Sequence, residues 1–230
     1  MQEKTFFNWS SGKDSALALY KLKSQNIAVD KLVTTVNKHY QRVTIHGLPI
    51  DVLKAQATCL DIPLDTIELP EKATMKTYEE RLGKKYECLK NQGYTHTAFG
   101  DIFLEDLKDY REKLIQPYGF KSLYPLWKID TRSLLQEFLS LGFKTVIICA
   151  NTNLVPAHFV GKAIDQTFLE SLPKNVDPCG ENGEFHTFCF DGPIFKSPVS
   201  FKLGEKTFRN YPAPTSGSKE VTYCFQDIIL

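Results

Sequence analysis

FFNWSSGKDSALALYKL, residues 6–22, is the stretch whose reading decides the fold. Phe6 to Trp9 forms the apolar run of a buried strand. Ala16, Leu17, Leu19 and Tyr20 then give residues 13–24 the broad apolar face of a helix. Between them lie Ser10, Ser11, Gly12, Lys13, Asp14 and Ser15. Strand, short Ser/Gly loop, helix is a geometry that binds anions. The first N–H groups of the helix are unpaired, and the aligned peptide dipoles add partial positive charge. Ser10 and Ser15 can donate hydroxyl hydrogen bonds to phosphate oxygens, Gly12 lets backbone approach closely, and Lys13 adds a point charge. Asp14 is the odd member, because a bare carboxylate repels phosphate. It reads either as an N-terminal helix residue bonding backbone amides or as a ligand of the magnesium that accompanies a triphosphate. The plain alternative for the whole segment is a Ser/Asp-capped helix without a ligand.

Two commoner nucleotide loops are absent. The Walker pattern GxxxxGK[ST] does not occur, and GEKT at 204–207 has Val199 where the first glycine belongs. No GxGxxG follows the first strand, so the dinucleotide fingerprint is missing too.

Outward from this stretch the pattern alternates. Strands are expected at 4–9, 31–36 and 64–68, within 96–102, and at 144–150, the last a continuous apolar run. Helices are expected at 13–24, 49–60, 74–91, 105–118 and 131–141, the last capped by Asp130 or Thr131. Alternating strands and helices with continuous apolar strands predict a mostly parallel sheet covered on both faces, which binds ligands beyond the carboxyl ends of its strands. After a helix expected at 157–171, glycines and prolines break the chain into short strands at 185–190, 199–203, 206–210 and 221–225, with a loop at 212–218. The expected class is therefore α/β. It comprises a doubly wound, mostly parallel sheet at 1–150 and a smaller mixed α+β region at 151–230, which the family resemblance given below implies to be a Rossmann-like ATP-binding domain and a substrate-binding domain.

Composition bounds the rest. The 230 residues are 42% hydrophobic and 24% charged with a formal net charge of +1, which gives no strong signal for nucleic acid or a membrane surface. No secretory leader and no apolar stretch of about 20 residues is present, so a cytoplasmic protein is expected. The six cysteines are scattered without a CxxC pair, and read as reduced thiols rather than disulfides or a zinc site.

SSGKDS at 10–15 resembles the SGGxDS pyrophosphate loop of the PP-loop ATP pyrophosphatases, the adenine-nucleotide α-hydrolase-like (HUP-type) group. Ser11 stands where glycine is usual, a strained choice if that backbone needs a positive φ. RVTIHG (42–47), FGDI (99–102), YPLW (124–127) and CGENGEFHTF (179–188) resemble, in this order, the blocks of the diphthine–ammonia ligase family, the last of them its GE(G/N)GE(Y/F)xT block. The resemblance runs from residue 6 to about 195. It implies ATP and Mg2+ as cofactors, ammonia or ammonium, and a carboxylate that is adenylated with release of pyrophosphate and then amidated. The ligase that names the family amidates diphthine, a modified histidine on a translation elongation factor of archaea and eukaryotes. Family members also occur in bacteria, which lack diphthine, so the acceptor is either a small molecule or protein-borne diphthine. A homodimer stays open.

The resemblance also implies roles. Ser10, Ser11, Gly12, Lys13, Asp14 and Ser15 would hold pyrophosphate, with magnesium on Asp14. The adenine would lie over the end of the second strand, against the backbone from Thr34 to Asn37 including Val36. His46 would contact phosphate or nucleotide, or be structural. Gly100 and Asp101, at the carboxyl end of the fourth strand, would serve as a nucleotide contact and as a metal or substrate ligand. Glu181 and Glu184 flank Asn182-Gly183, a turn that aims carboxylates at a substrate; they would bind ammonium, take its proton or pair with a cationic group. Their alternative is a solvated turn. His186 and Thr187 complete the block, with His186 equally able to be structural. Cys179 reads as an inert thiol and Trp127 as core or pocket wall. Competing functions are a PP-loop enzyme that thiolates tRNA and a nucleotide-binding protein without turnover. Glutamine-fed amidation would need a glutaminase nucleophile that the sequence does not display.

Overall fold

The computed structural model describes residues 3–44, 46–211 and 220–230; the loop expected at 212–218 lies outside them. Strand β1 (Lys4–Asn8) leads through the Ser/Gly loop into α1 (Lys13–Ser24), which buries Ala16, Leu17, Ala18, Leu19 and Leu22 and carries Lys21 and Lys23 in its last turn, where cations suit the helix dipole. Then come β2 (Lys31–Asn37), the two-residue β3 (Arg42–Val43), α2 (Ile50–Leu60), β4 (Leu64–Leu69), α3 (Met75–Asn91), β5 (Tyr94–Ala98), α4 (Glu105–Ile115) and β6 (Lys121–Leu123). The Thr74 side chain accepts a hydrogen bond from Thr77 N and starts α3.

β4, β2, β1, β5 and β6 lie side by side, all parallel, and β3 pairs antiparallel with the last residues of β2. The chain winds from β1 through β2 to β4 on one side, then returns to β5 and β6 on the other. The loops after β1 and β5 are therefore neighbours at the point where strand order reverses, the place where open α/β sheets bind ligands.

The second sheet is antiparallel. α5 (Thr131–Ser140), capped by the Asp130 carboxylate on Ser133 N at 2.8 Å, leads into β7 (Lys144–Asn151). α6 (Gln166–Ser171), β8 (Phe185–Asp191), β9 (Lys202–Tyr211) and β10 (Val221–Ile229) follow, with strand order β8-β7-β10-β9. Phe7, Trp9 and Leu17 from the first part share one buried apolar cluster with Ile147, Phe185 and Phe188 from the second. The other face of the first sheet buries Phe6, Val33 and Phe99 beneath Leu82, Tyr86 and Leu89 of α3. Both faces of the parallel sheet are thus covered, as its apolar strands require. Among the described residues no helix is long and apolar enough to cross a membrane.

Several expectations need correcting. The 144–150 run is β7, an antiparallel strand of the second sheet, not a parallel strand of the first. A continuous apolar strand reports burial on both faces and says nothing about direction. A division at residue 150 would part β7 from its partners, whereas the sheets change over between Leu123 and Lys144. The helix expected at 157–171 is a 3-10 turn, Ala157–Phe159, and the separate α6. Gly161, at φ 82°, breaks the run, and Asp165 starts afresh by accepting Phe168 N at 2.8 Å. α4 stops at Ile115 and tightens to a 3-10 turn, Gln116–Tyr118, at Pro117. Of the strand expected at 199–203 only Lys202 and Leu203 belong to a strand, and they join the one expected at 206–210 in β9; the fourth parallel strand, expected within 96–102, runs from Tyr94 to Ala98.

Candidate active site

The loop after β1 is built against the second sheet. Ser11 takes φ 71°, a left-handed conformation that strains a residue with a Cβ. It is fully buried and its hydroxyl has no partner among the described residues. Its carbonyl accepts Cys189 N at 3.0 Å and Gln56 Nε2 at 3.0 Å; Gln56 also donates to the Cys189 carbonyl at 2.6 Å and accepts Trp9 Nε1–H at 2.8 Å. Gly12 starts α1 without a side-chain cap, and the helix takes its first donor contact from β8 instead, where Lys13 N donates to Thr187 Oγ1 at 3.0 Å. A Cβ on Gly12 would sit 3.2 Å from the Thr187 carbonyl; one on Gly100 would sit 3.1 Å from Ser15 N. Both glycines keep a close approach that any side chain would obstruct. The hydroxyls of Ser10 and Ser15 meet at 2.8 Å, and the N–H groups of Asp14 and Ser15 have no partner among the described residues.

Lys13 is the central cation. It is 2% exposed, its ammonium lies 2.8 Å from each Asp14 carboxylate oxygen, and it donates to the Cys179 carbonyl. Burial opposes its charge, but Asp14, with Cys179 and Glu181, outweighs burial and holds its pKa above the usual range. Burial raises Asp14, and Lys13 offsets that only in part.

The opposite wall is the turn before β8. Asp177 Oδ2 accepts Cys179 N and Glu181 N, each at 3.0 Å, while Glu184 Oε1 accepts Asp177 N at 3.0 Å and Asn182 Nδ2 at 3.2 Å. Gly180 and Gly183, at φ 72° and 85°, supply its left-handed corners. Glu184, 2% exposed, faces inward and braces the turn. Glu181 faces outward, and its Oε1 accepts Ile102 N at 2.8 Å, just past Asp101. Burial first, then the carboxylates of Asp14 and Asp101, push Glu181 up to about 7.

One cavity of about 240 Å³ gathers most of the expected residues. From the loop come Ser10, Gly12, Lys13, Asp14 and Ser15, from the β5 end Gly100 and Asp101, and from the turn and β8 Glu181, Gly183, His186 and Thr187, with His46 alongside. His46 and His186 stack with ring centroids 4.5 Å apart. Burial lowers both, His186 to about 4 and His46 well below the ordinary range with help from His186 and Lys13, so both imidazoles are neutral at pH 7. Ser11, Asn182 and Glu184 do not line this cavity. Val36 packs in the core; a second cavity of about 400 Å³ over β2 is lined by Thr34 and Thr35 instead. Burial pushes the Cys179 thiol far up, and its Sγ donates to the Thr131 carbonyl at 3.3 Å, so it is inert. Trp127 lies outside both cavities.

Sequence reasoning missed three residues. Gln56 was detectable as a polar residue on the apolar face of α2. Asp177, which accepts from two N–H groups of the turn, and Arg111, which lines both cavities, had no motif to mark them.

The fit to a nucleotide and its metal can be tested on these features. Unpaired N–H groups, two glycines held close, and a lysine suit a polyphosphate. Among the described residues no three His, Cys, Asp or Glu side chains gather as a metal site, and Lys13 occupies both Asp14 oxygens. A magnesium ion would thus draw most of its ligands from phosphate and water, with one carboxylate at most from Asp14, as is common for that ion.

A donor-lined strand–helix loop at the switch point of a parallel sheet, roofed by a second sheet, defines an α/β protein of the anion- and nucleotide-binding kind. The profile of the diphthamide synthase N-terminal domain matches residues 3–122, and that of the diphthamide synthase C-terminal domain matches 130–213. The diphthine–ammonia ligases of Bos taurus and Homo sapiens are 30% and 29% identical over 197 residues, each covering 80% of this chain and 72% of the relative. That of Danio rerio is 26% identical over 212 residues, 83% of each. The chain belongs to the diphthamide synthase family.

Proposed function

We propose that this protein is a cytoplasmic, ATP-dependent amide-forming ligase of the diphthine–ammonia ligase type. Its adenine site is the cavity over β2, its diphosphate site the Ser10–Ser15 loop. The acceptor carboxylate oxygen attacks the α-phosphorus, the bond to the β-phosphate oxygen breaks, and diphosphate leaves into the loop, where Lys13 and the free N–H groups meet its charge. Ammonia nitrogen then attacks the acyl carbon, the bond to the AMP oxygen breaks, and Glu181 takes the surplus proton. A magnesium ion bound with the nucleotide would supply further charge neutralisation, and Asp14 is the carboxylate that would help to hold it.

The observation that carries this reading is the meeting, around one cavity of about 240 Å³, of an anion cradle and a carboxyl poised near neutrality. A group with a pKa near 7 suits proton transfer from an amine at neutral pH. The similarity to diphthine–ammonia ligases favours ammonia as nucleophile and diphthine as acceptor. The test is a diphthine-bearing elongation factor, ATP and 15N-ammonium with the purified protein. Equal yields of AMP, diphosphate and 15N-amide are expected; ADP and phosphate instead would refute adenylation. Small carboxylates in a parallel screen distinguish the two acceptor classes.

A further inference from the structure

We propose that Arg111 is a catalytic residue, the cation that grips the α-phosphate of the bound nucleotide. The proposal rests on the nucleotide reading above. The cavity over β2 and the cavity at the loop share four lining residues, Asn8, Ser10, His46 and Arg111. A nucleotide with its base and ribose in the first and its leaving diphosphate in the second has its α-phosphorus at the join, beside these four.

Three of the four carry no charge. Asn8 Nδ2 donates to Thr97 Oγ1 at 2.7 Å and the Ala98 carbonyl at 3.2 Å. The Ser10 hydroxyl is engaged with Ser15 at 2.8 Å. His46 is neutral, its ring packed on His186. Arg111 is the fixed cation at the join. Its Nε donates to Asp101 Oδ1 at 3.0 Å, and its guanidinium lies 4.9 Å from the centre of the Phe99 ring. The N–H groups of its two terminal nitrogens have no partner among the described residues, and its side chain is 28% exposed. A planar fork anchored at Nε and packed on a ring, with its other donors open, is preorganised for two phosphate oxygens. Arg111 moves no proton; its charge offsets the negative charge on the non-bridging oxygens while the bond to the acceptor forms and the bond to diphosphate breaks. Asp101, buried, is then a positioning residue that aims the guanidinium.

The test titrates adenosine, AMP and ATP calorimetrically into the wild type, Arg111→Lys, and a double variant Arg111→Gln with Asp101→Asn, which leaves no unpaired buried charge. The ratio of AMP to adenosine affinity reads the α-phosphate contact alone. It should fall about ten- to a hundredfold in the double variant, the loss of a charged hydrogen bond. The lysine variant should lose several-fold, since it keeps charge without the fork. Adenosine binding reports that each variant is folded; if the double variant fails that check, the lysine variant decides. An unchanged ratio in a folded variant overturns the role of Arg111 and leaves the nucleotide reading intact. A wild type that binds none of the three ligands overturns both.

Discussion

The Ser10–Ser15 loop and the Asp177–Glu184 turn face each other across one cavity and are held in opposite ways. The turn is largely self-contained: Asp177 and Glu184 satisfy its N–H groups from within, which leaves Glu181 to face outward. The loop is finished by distant residues, Gln56 of α2 and Thr187 and Cys189 of β8. The grip on an anion therefore depends on the two sheets being docked, whereas the carboxyl that faces it is aimed by its own turn and held by one N–H, that of Ile102. The sharpest way to separate the two is Glu181→Gln. Amide formation should fall about 10²- to 10⁴-fold, the usual worth of a general base, with ATP affinity unchanged. Equal losses in both would break the division.

The same substitution has a pH signature. With Glu181 held at about 7, the wild-type amidation rate should climb as pH rises through 7, and the inflection should vanish in Glu181→Gln. Stability runs the other way. The folded state retains a proton that the unfolded carboxyl loses near 4.5, so Glu181 costs stability as pH rises from about 4.5 through 7, and the cost stays in place above that. The Tm difference between Glu181→Gln and the wild type should therefore widen from pH 5 to pH 8 in favour of the variant.

On the loop side, Gly100→Val should cost roughly a hundredfold in ATP affinity and leave the turn untouched. The nearest atom to the added Cβ is backbone, Ser15 N at 3.1 Å, so the cradle itself must shift, at the few kcal/mol typical of overpacking. Calorimetric titration reads it.

What could be read in the sequence divides along the same line. β1, the loop and α1 follow from short-range grammar: apolar run, small polar residues, helical spacing. The positive φ at Ser11 does not follow from that grammar; it fits the resemblance, which has glycine at this position. The pairing of β7 could not be read, because apolar content fixes its burial while its neighbours β8 and β10 come from 34 or more residues further on. Nor could Glu181 be told from Glu184. Both flank Asn182-Gly183, and only the left-handed corners at Gly180 and Gly183 decide which carboxylate turns inward. Arg111 shares its helix with six other charged residues, and nothing local distinguishes the one that meets Asp101.

Gln56 tests whether docking of the sheets supports the loop. Gln56→Ala strips a partner from Trp9 Nε1 and from the Ser11 and Cys189 carbonyls, all buried. A loss of about 2–4 kcal/mol in urea unfolding is expected, at about 1–3 kcal/mol for each buried group left unpaired and with Ser11 still paired to Cys189 N. An unchanged ATP affinity beside that loss would mean that the loop holds its shape without this tie to β8.

The smallest effect comes from two adjacent positions with opposite signs. Gly12 has an ordinary φ of −86° but no room, since a Cβ would lie 3.2 Å from the Thr187 carbonyl; Gly12→Ala should cost about 1–2 kcal/mol. Ser11 has the reverse problem, a φ of 71° and a buried hydroxyl without a partner among the described residues. Ser11→Gly relieves about 1–2 kcal/mol of left-handed strain and removes the unpaired hydroxyl, against about 0.4–1 kcal/mol of added freedom in the unfolded chain. The balance is a gain of about 1 kcal/mol, a rise of roughly 2–4 °C in Tm for a chain of this size. ATP affinity should not move, because Ser11 touches β8 and α2 rather than the cavity, and a change in affinity would show that its side chain reaches the anion after all.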